Sequence, residues 1–258
     1  MLSLLKADLF RIAKSKLTFI SLIIASTLPI LMVLLYYGLG KLDEEGYLAQ
    51  MFSARMLMAS VFSLSDNVGL VICVFSAIFV SMDLANGTLR NKVIAGHSRS
   101  SIYLSHVVAS VIYNVIVISV YAGLTLLFGS LILGFGGDMS SEEIKSFVFS
   151  MVTGMTTFVY VATISSFFGL VVGSVAPSII FTVLFCLLLS LVTGVVSLID
   201  YSNFKYIVYF IPTFANGNAL GVTVVDNTLF IEAMVSYGAF SVLNVFLGIV
   251  LFTKKDLK

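Results

Sequence analysis

Asp83-Leu84-Ala85-Asn86-Gly87-Thr88-Leu89-Arg90-Asn91-Lys92-Val93-Ile94-Ala95-Gly96-His97-Ser98-Arg99 sets charges, turn formers and a short helical pattern between two long apolar runs. Asn86-Gly87 supplies a sharp turn, Thr88 is placed to cap a new helix, and Gly96 is placed to end it about two turns later. On that helix Leu89 and Val93 share one face, and Arg90 and Lys92 point elsewhere. The expected shape is a small apolar ridge with basic flanks, suited to a protein groove.

The flanking runs decide the class. Of 258 residues, 59% are apolar and only 10% charged, with a mean hydropathy of +1.11, values that a water-soluble domain of this size does not sustain. A spanning helix needs about 20 mainly apolar residues. Six runs qualify, near Leu17–Leu39, Asn67–Met82, Ile102–Leu133, Phe147–Val175, Ser178–Ile199 and Phe230–Phe252. Strand alternation is absent, so the predicted fold is an all-α integral membrane protein forming one transmembrane domain over 1–258. The third and fourth runs exceed one bilayer thickness and should tilt or project.

Charge sets the orientation. With both ends on one side, that face holds Lys6, Arg11, Lys14, Lys16, Arg90, Lys92, Arg99, Lys254, Lys255 and Lys258, against Lys41, Arg55, Lys145 and Lys205 opposite. The positive-inside rule then predicts cytoplasmic termini. Of the acids, only Asp8, Asp83 and Asp256 fall on the basic side. The net charge of +1 gives no reason to expect nucleic acid. The first run is too long for a secretory signal core and is read as an uncleaved span.

Met1–Lys16 is amphipathic, with Leu2, Leu5, Leu9, Ile12 and Ala13 on one face and Ser3, Asp8, Arg11, Lys14 and Ser15 on the other. It is expected to lie along the cytoplasmic bilayer surface in contact with lipid. Asp66 and Asn67 either mark the water boundary of the second span or lie within its outer half, where they would be pathway candidates. Gly169 and Gly173 have the GxxxG spacing that permits close helix approach. Residues 200–229 are too apolar for an exposed loop and too broken for a span. Phe210 and Pro212, then Asn216 and Gly217, fit a short outer re-entrant hairpin.

Several chemistries lack their residues. No phosphate loop of the G-x-x-x-x-G-K-[ST] kind occurs, so any ATP must be handled by another chain. His97 and His106 form no zinc motif, Cys73 and Cys186 lie in separate spans without ligand spacing, and no metal is expected. Ser165-Ser166 lacks a nucleophile elbow. Most carboxylates lie in outer loops, which weakens the case for an ion-coupled carrier.

The block Asn86-Gly87-Thr88-Leu89-Arg90-Asn91-Lys92, followed by Gly96, Ser98-Arg99 and Ile102-Tyr103-Leu104-Ser105, resembles the first cytoplasmic loop of bacterial type-2 ABC transporter permeases. The six-span plan, the amphipathic first helix and the apolar Tyr209–Leu220 segment are similar to that family as well. His106 departs from it, standing where such loops often continue with Lys. The resemblance implies a noncatalytic permease subunit of an exporter in the bacterial plasma membrane. Its partners would be two copies of an ATP-binding subunit, which carry ATP and Mg, and a second permease copy, identical or similar. Asn86, Gly87, Thr88, Leu89, Arg90, Asn91, Lys92, Val93, Gly96 and Arg99 would form the ATPase-coupling loop, with Leu89 and Val93 in the ATPase groove and Arg90, Lys92 and Arg99 at its acidic rim. The second and fifth spans would line the pathway at the dimer interface, capped by the outer hairpin. A pathway with few charges suits a hydrophobic or amphipathic substrate, such as an antimicrobial peptide. A different class, a non-transporting immunity or sensor protein, needs no ATPase, and copurification of an ATPase separates the two.

Overall fold

The computed structural model describes residues 2–42, 53–62, 67–136, 140–198 and 227–255. Among these the chain is all-helical: α1 (Leu2–Lys14), α2 (Lys16–Leu42), α3 (Ala54–Val61), α4 (Asn67–Ala85), α5 (Thr88–Ile94), α6 (Arg99–Ile132), α7 (Ser141–Val172), α8 (Val175–Ser197) and α9 (Asn227–Lys254). Five of them contain stretches long and apolar enough to cross a membrane, in α2, α6, α7, α8 and α9, and a sixth is added if α4 and α5 are taken together as one bent span. The protein is therefore built to sit in a bilayer. The 34 residues of α6 and the 32 of α7 exceed the roughly 20 that one crossing needs, as the long apolar runs predict.

Asp66, Phe210, Pro212, Asn216 and Gly217 lie outside the described residues, as does most of the 200–229 segment; Asn67 is the first residue of α4. The apolar stretch after residue 50 contributes a separate short helix, α3. Ser53 caps it by accepting from the Met56 amide at 3.4 Å, and the Ala54 amide donates to the Gly134 carbonyl at 3.0 Å. This short helix thus docks on the far end of α6.

α6 and α7 form the centre of the bundle. α6 packs against α1, α2, α3, α4, α7 and α9, and α7 against α4, α6, α8 and α9. α7 sits centrally with buried polar side chains that are mostly small and satisfied within their own helix, the buried Ser165 hydroxyl being one that finds no partner. Thr153, Thr157 and Ser166 donate to the carbonyls of Phe149, Thr153 and Ala162 at 2.9, 3.2 and 2.7 Å, which leaves the helix surface smooth enough for close neighbours. α8 is the most open of the spans. It exposes Ile180, Leu184, Leu188, Leu191 and Val195 along one stripe, as a helix facing lipid or a second chain does.

The small residues of the GxxxG pair are used inside the chain. A Cβ on Gly169 would come within 2.7 Å of Val80 Cγ1 on α4, so this glycine sets the α4–α7 approach. Gly173 ends α7 with φ +86.

One end of the bundle is stitched by basic side chains on helix termini. Arg99 donates to the carbonyl of Thr253 at 3.0 Å and to that of Lys255, and Lys255 Nζ donates to the Leu170 carbonyl at 3.1 Å. Cations at the carbonyl ends of α7 and α9 are favoured by the helix dipole, although partial burial lowers the Lys255 pKa from the ordinary lysine value. The loop before α6, the end of α7 and the end of α9 therefore share one face.

Gly169→Val should force α4 from α7 and lower stability by about 1–3 kcal/mol, the usual cost of overpacking. A Cβ on Gly123 would meet no atom within 4 Å, and Gly123→Val should change stability by no more than about 0.5 kcal/mol. Thermal unfolding of the two variants in detergent measures the contrast.

Candidate functional site

The turn between α4 and α5 is built by backbone geometry. The Asn86 amide donates to the Met82 carbonyl at 2.9 Å and the Gly87 amide to that of Leu84 at 3.1 Å. Gly87 then takes φ 68, a left-handed conformation that costs a side-chain-bearing residue more. Gly87 thus holds the N-cap position expected of Thr88. Thr88 is instead the first helical residue, and its hydroxyl donates back to the Asp83 carbonyl at 2.9 Å. The result is a bend of 56° between α4 and α5. At the other end, the Gly96 amide donates to Val93 O at 2.9 Å and the His97 amide to Lys92 O at 3.3 Å, with Gly96 at φ 85. This pairing is a Schellman motif, and it makes Gly96 the stop that the sequence predicts.

The side chains of this loop meet α1 in a buried charge cluster. Lys92 Nζ lies 2.7 Å from Asp8 Oδ1, 3.3 Å from Asp83 Oδ2 and 3.1 Å from His106 Nε2. Arg11 pairs with Asp83 and its guanidinium lies 4.2 Å from the centre of the Phe79 ring. Ser105 Oγ donates to the second oxygen of Asp8 at 2.6 Å. The Lys92 side chain is 15% exposed and that of Asp8 2%. Two carboxylates thus face two cations in a site nearly closed to water, where each charge depends on the others.

His106 Nε2 also lies 3.0 Å from Asp83 Oδ2. A ring nitrogen either accepts from the lysine or donates to the carboxylate. The proton position on His106 therefore decides whether three acceptors hold the ammonium or two. Asp8, Asp83 and His106 also have ligand atoms within 4.8 Å of one another, a grouping that could hold a metal ion. Here the Lys92 ammonium contacts all three residues, and a metal would have to displace it and leave two cations without counter-charge. The histidine that looks unaccompanied in the sequence is in space beside two carboxylates.

The loop faces differ from those expected. Leu89 is 1% exposed and belongs to the main core with Leu4, Ile12 and Ile102, and Val93 packs against that core. The Leu89–Val93 ridge therefore faces the chain's own interior, because the 56° bend lays α5 against the bundle. Ile94, 74% exposed, is the apolar residue on the open face. It is flanked by exposed Arg90, Asn91 and Ala95, with exposed Asn86 and Gly87 on the turn. Lys92 points inward to Asp8, and Arg99 holds the end of α9, so of the three basic residues expected at a rim only Arg90 stands on the open surface.

α1 is corrected likewise. Its amphipathic pattern puts Asp8 and Arg11 on the water face, yet Asp8 is buried between Leu4 and Ile12, one turn away on either side, and Arg11 reaches Asp83. The sequence does carry a signal: few acids accompany the basic residues of these segments, and Asp8 and Asp83 both pair here.

The geometry defines the class: an all-helical membrane protein that presents a short surface helix, clamped to an amphipathic amino-terminal helix by buried ion pairs. Residues 30–258 match the family described as Protein of unknown function (DUF2705), and the chain belongs to that family. No curated protein matches it.

Lys92→Ala should cost about 3–5 kcal/mol, because it leaves two buried carboxylates facing one guanidinium, whereas Arg90→Ala should stay within about 0.5 kcal/mol. Thermal unfolding in detergent distinguishes them; equal effects would contradict the inward placement of Lys92.

Proposed function

We propose that this protein is the membrane-spanning subunit of an ATP-driven exporter, with α5 as the element that receives force from a separate ATPase. The observation that carries the reading is α5 itself. It is a two-turn helix hung between two long helices by a fixed bend and a fixed stop, offering Ile94 and Arg90 outward while Leu89 and Lys92 lock it to the body. A segment that only connected two spans would need neither the clamp to α1 nor an exposed isoleucine at its tip. Force on α5 would pass to α4 through the turn and to α1 and α6 through Lys92, Asp8 and Ser105.

In this reading α4 is a full span, and α2, α4, α6, α7, α8 and α9 make six crossings. The stitched face, which carries most of the Lys and Arg, is cytoplasmic by the positive-inside rule. The partner groove receives Ile94 in an apolar pocket and meets Arg90 with acidic residues. Leu89 and Val93 support the helix from behind. A second copy of the chain, or a similar one, completes the pathway beside the open stripe of α8. Asn67 at the start of α4, Asp66 just before it in sequence, and the 200–229 segment with Phe210, Pro212, Asn216 and Gly217 are the residues assigned to its outer mouth. The substrate class that fits spans of this composition is hydrophobic or amphipathic, a membrane-active peptide among them. ATP and Mg reside on the partner.

Two outcomes follow. With the native cysteines replaced by Ser, Glu44→Cys should be modified by an impermeant maleimide added to intact cells, and Asp256→Cys should be spared; labelling of the tail would reverse the orientation. Ile94→Ala should weaken the complex with the ATPase by roughly 1.5–3 kcal/mol, the value of a fully buried aliphatic side chain. Arg90→Ala should cost about 0–1 kcal/mol as an exposed pair. Neither should alter thermal unfolding of the isolated chain. Pull-down of the ATPase, with an export or resistance assay in the same cells, reads both. Full binding and export by Ile94→Asp would remove α5 from the coupling role.

A further inference from the structure

α1 has two unlike faces. Leu4 and Ile12 are core residues and Leu9 packs against that core, and Asp8, the one acid of the helix, is buried in its pair with Lys92. The side that the sequence pattern assigns to lipid is therefore taken up by the bundle. What α1 leaves open is Ser3, Lys6, Ala7, Phe10, Ala13 and Lys14. Lys6, Phe10 and Lys14 stand one turn apart on a single stripe, with Phe10 67% exposed. Neither lysine pairs with an acid among the described residues. Ser15 alone separates α1 from the span α2, and its amide still donates to the Arg11 carbonyl at 2.8 Å. The end of α1 thus lies where the chain enters the bilayer. There α2 opens with exposed Lys16 and then exposed Phe19, Ile20 and Ile23.

We propose that the Lys6–Phe10–Lys14 stripe of α1 is a binding site for anionic phospholipid. The two ammonium groups meet headgroup phosphates, and Phe10 enters the boundary between headgroups and acyl chains, as apolar side chains of basic interfacial helices do. Charge selects the lipid class. The open stripe carries only positive charge, and a lysine beside an anionic surface supplies roughly a fivefold preference over a neutral one. Place selects lipid over an acidic protein groove, because at the entry to α2 the stripe meets headgroups in every copy of the protein. α1 is then held on two sides, by the leaflet on its open face and by Lys92 through Asp8 on its inner face. The site stands whether or not α5 meets an ATPase.

The chain contains no tryptophan, so Phe10→Trp places one fluorescent reporter in the stripe. The full-length variant is set in phosphatidylcholine nanodiscs with a minor share of brominated lipid, carried either on phosphatidylglycerol or on phosphatidylcholine, and quenching of the indole by bromine is read. Brominated phosphatidylglycerol should quench the more strongly. Lys6→Gln and Lys14→Gln, both at exposed positions, should each lower that excess by about fivefold in relative affinity, and together should make the two lipids equal. High salt should shrink the excess, since exposed charges are screened. A separate reporter, Leu31→Trp at an exposed position of α2 away from these lysines, should be quenched equally by both lipids. Quenching at position 10 by neither lipid would mean that the stripe stands in water or faces a protein, and would overturn the site. Equal quenching by both lipids with the lysines in place would overturn the anionic preference. An excess that survives loss of both lysines, or that appears equally at position 31, would overturn the assignment to this stripe.

Discussion

A lysine ammonium has three hydrogens to give and loses much by being buried without takers. Lys92 meets that constraint with Asp8 and Asp83, and with His106 when its Nε2 carries no proton, groups drawn from three different helices. Satisfying one cation therefore fixes α1 against the end of α4, seats α6 beside both, and sets the rotation of α5. That rotation decides that Leu89 is core and Ile94 is surface. Arg11 balances the second carboxylate and covers Phe79, whose ring stacks on Tyr113 of α6 at 4.7 Å. The charge cluster is thereby joined to the apolar packing below it.

The long apolar helices were legible in the sequence because hydropathy is a local property: each apolar run became a helix, and five of these are long and apolar enough by themselves to cross a membrane. The turn was legible for the same reason, since Asn86-Gly87 and Gly96 act through their own backbone. The orientation of α1 and α5 was not. Sorting residues by polarity assumes water on the far side of an amphipathic helix, and here that side is the protein. Asp8 and Lys92 are separated by 84 positions, and nothing local marks them as partners. His106 stood alone in sequence for the same reason. The glycine spacing at Gly169 was real, but Val80 of the same chain fills the space it opens.

This arrangement gives α5 two different faces with two different tasks. The inner face binds it to the bundle through Leu89 and Lys92, and the outer face, with Ile94 and Arg90, is open; in the proposed exporter that open face receives the partner. A loop built this way is tied to α1 through Lys92 and Asp8, so a push on its outer face is delivered to α1 as well as to α4. For the proposed exporter, this places the input for ATP-driven motion at the junction of α1, α4 and α6.

The most direct test is a double-mutant cycle on Asp8→Asn and Lys92→Met, read by thermal unfolding of the full chain in detergent. If the pair is the clasp, the double variant should be more stable than the sum of the single losses allows, with a coupling of about 0.5–3 kcal/mol, as expected for contacting charged residues. Losses that add to within about 0.5 kcal/mol, as for independent sites, would mean that α1 and α5 are not joined through Lys92, and the account of the loop would fail.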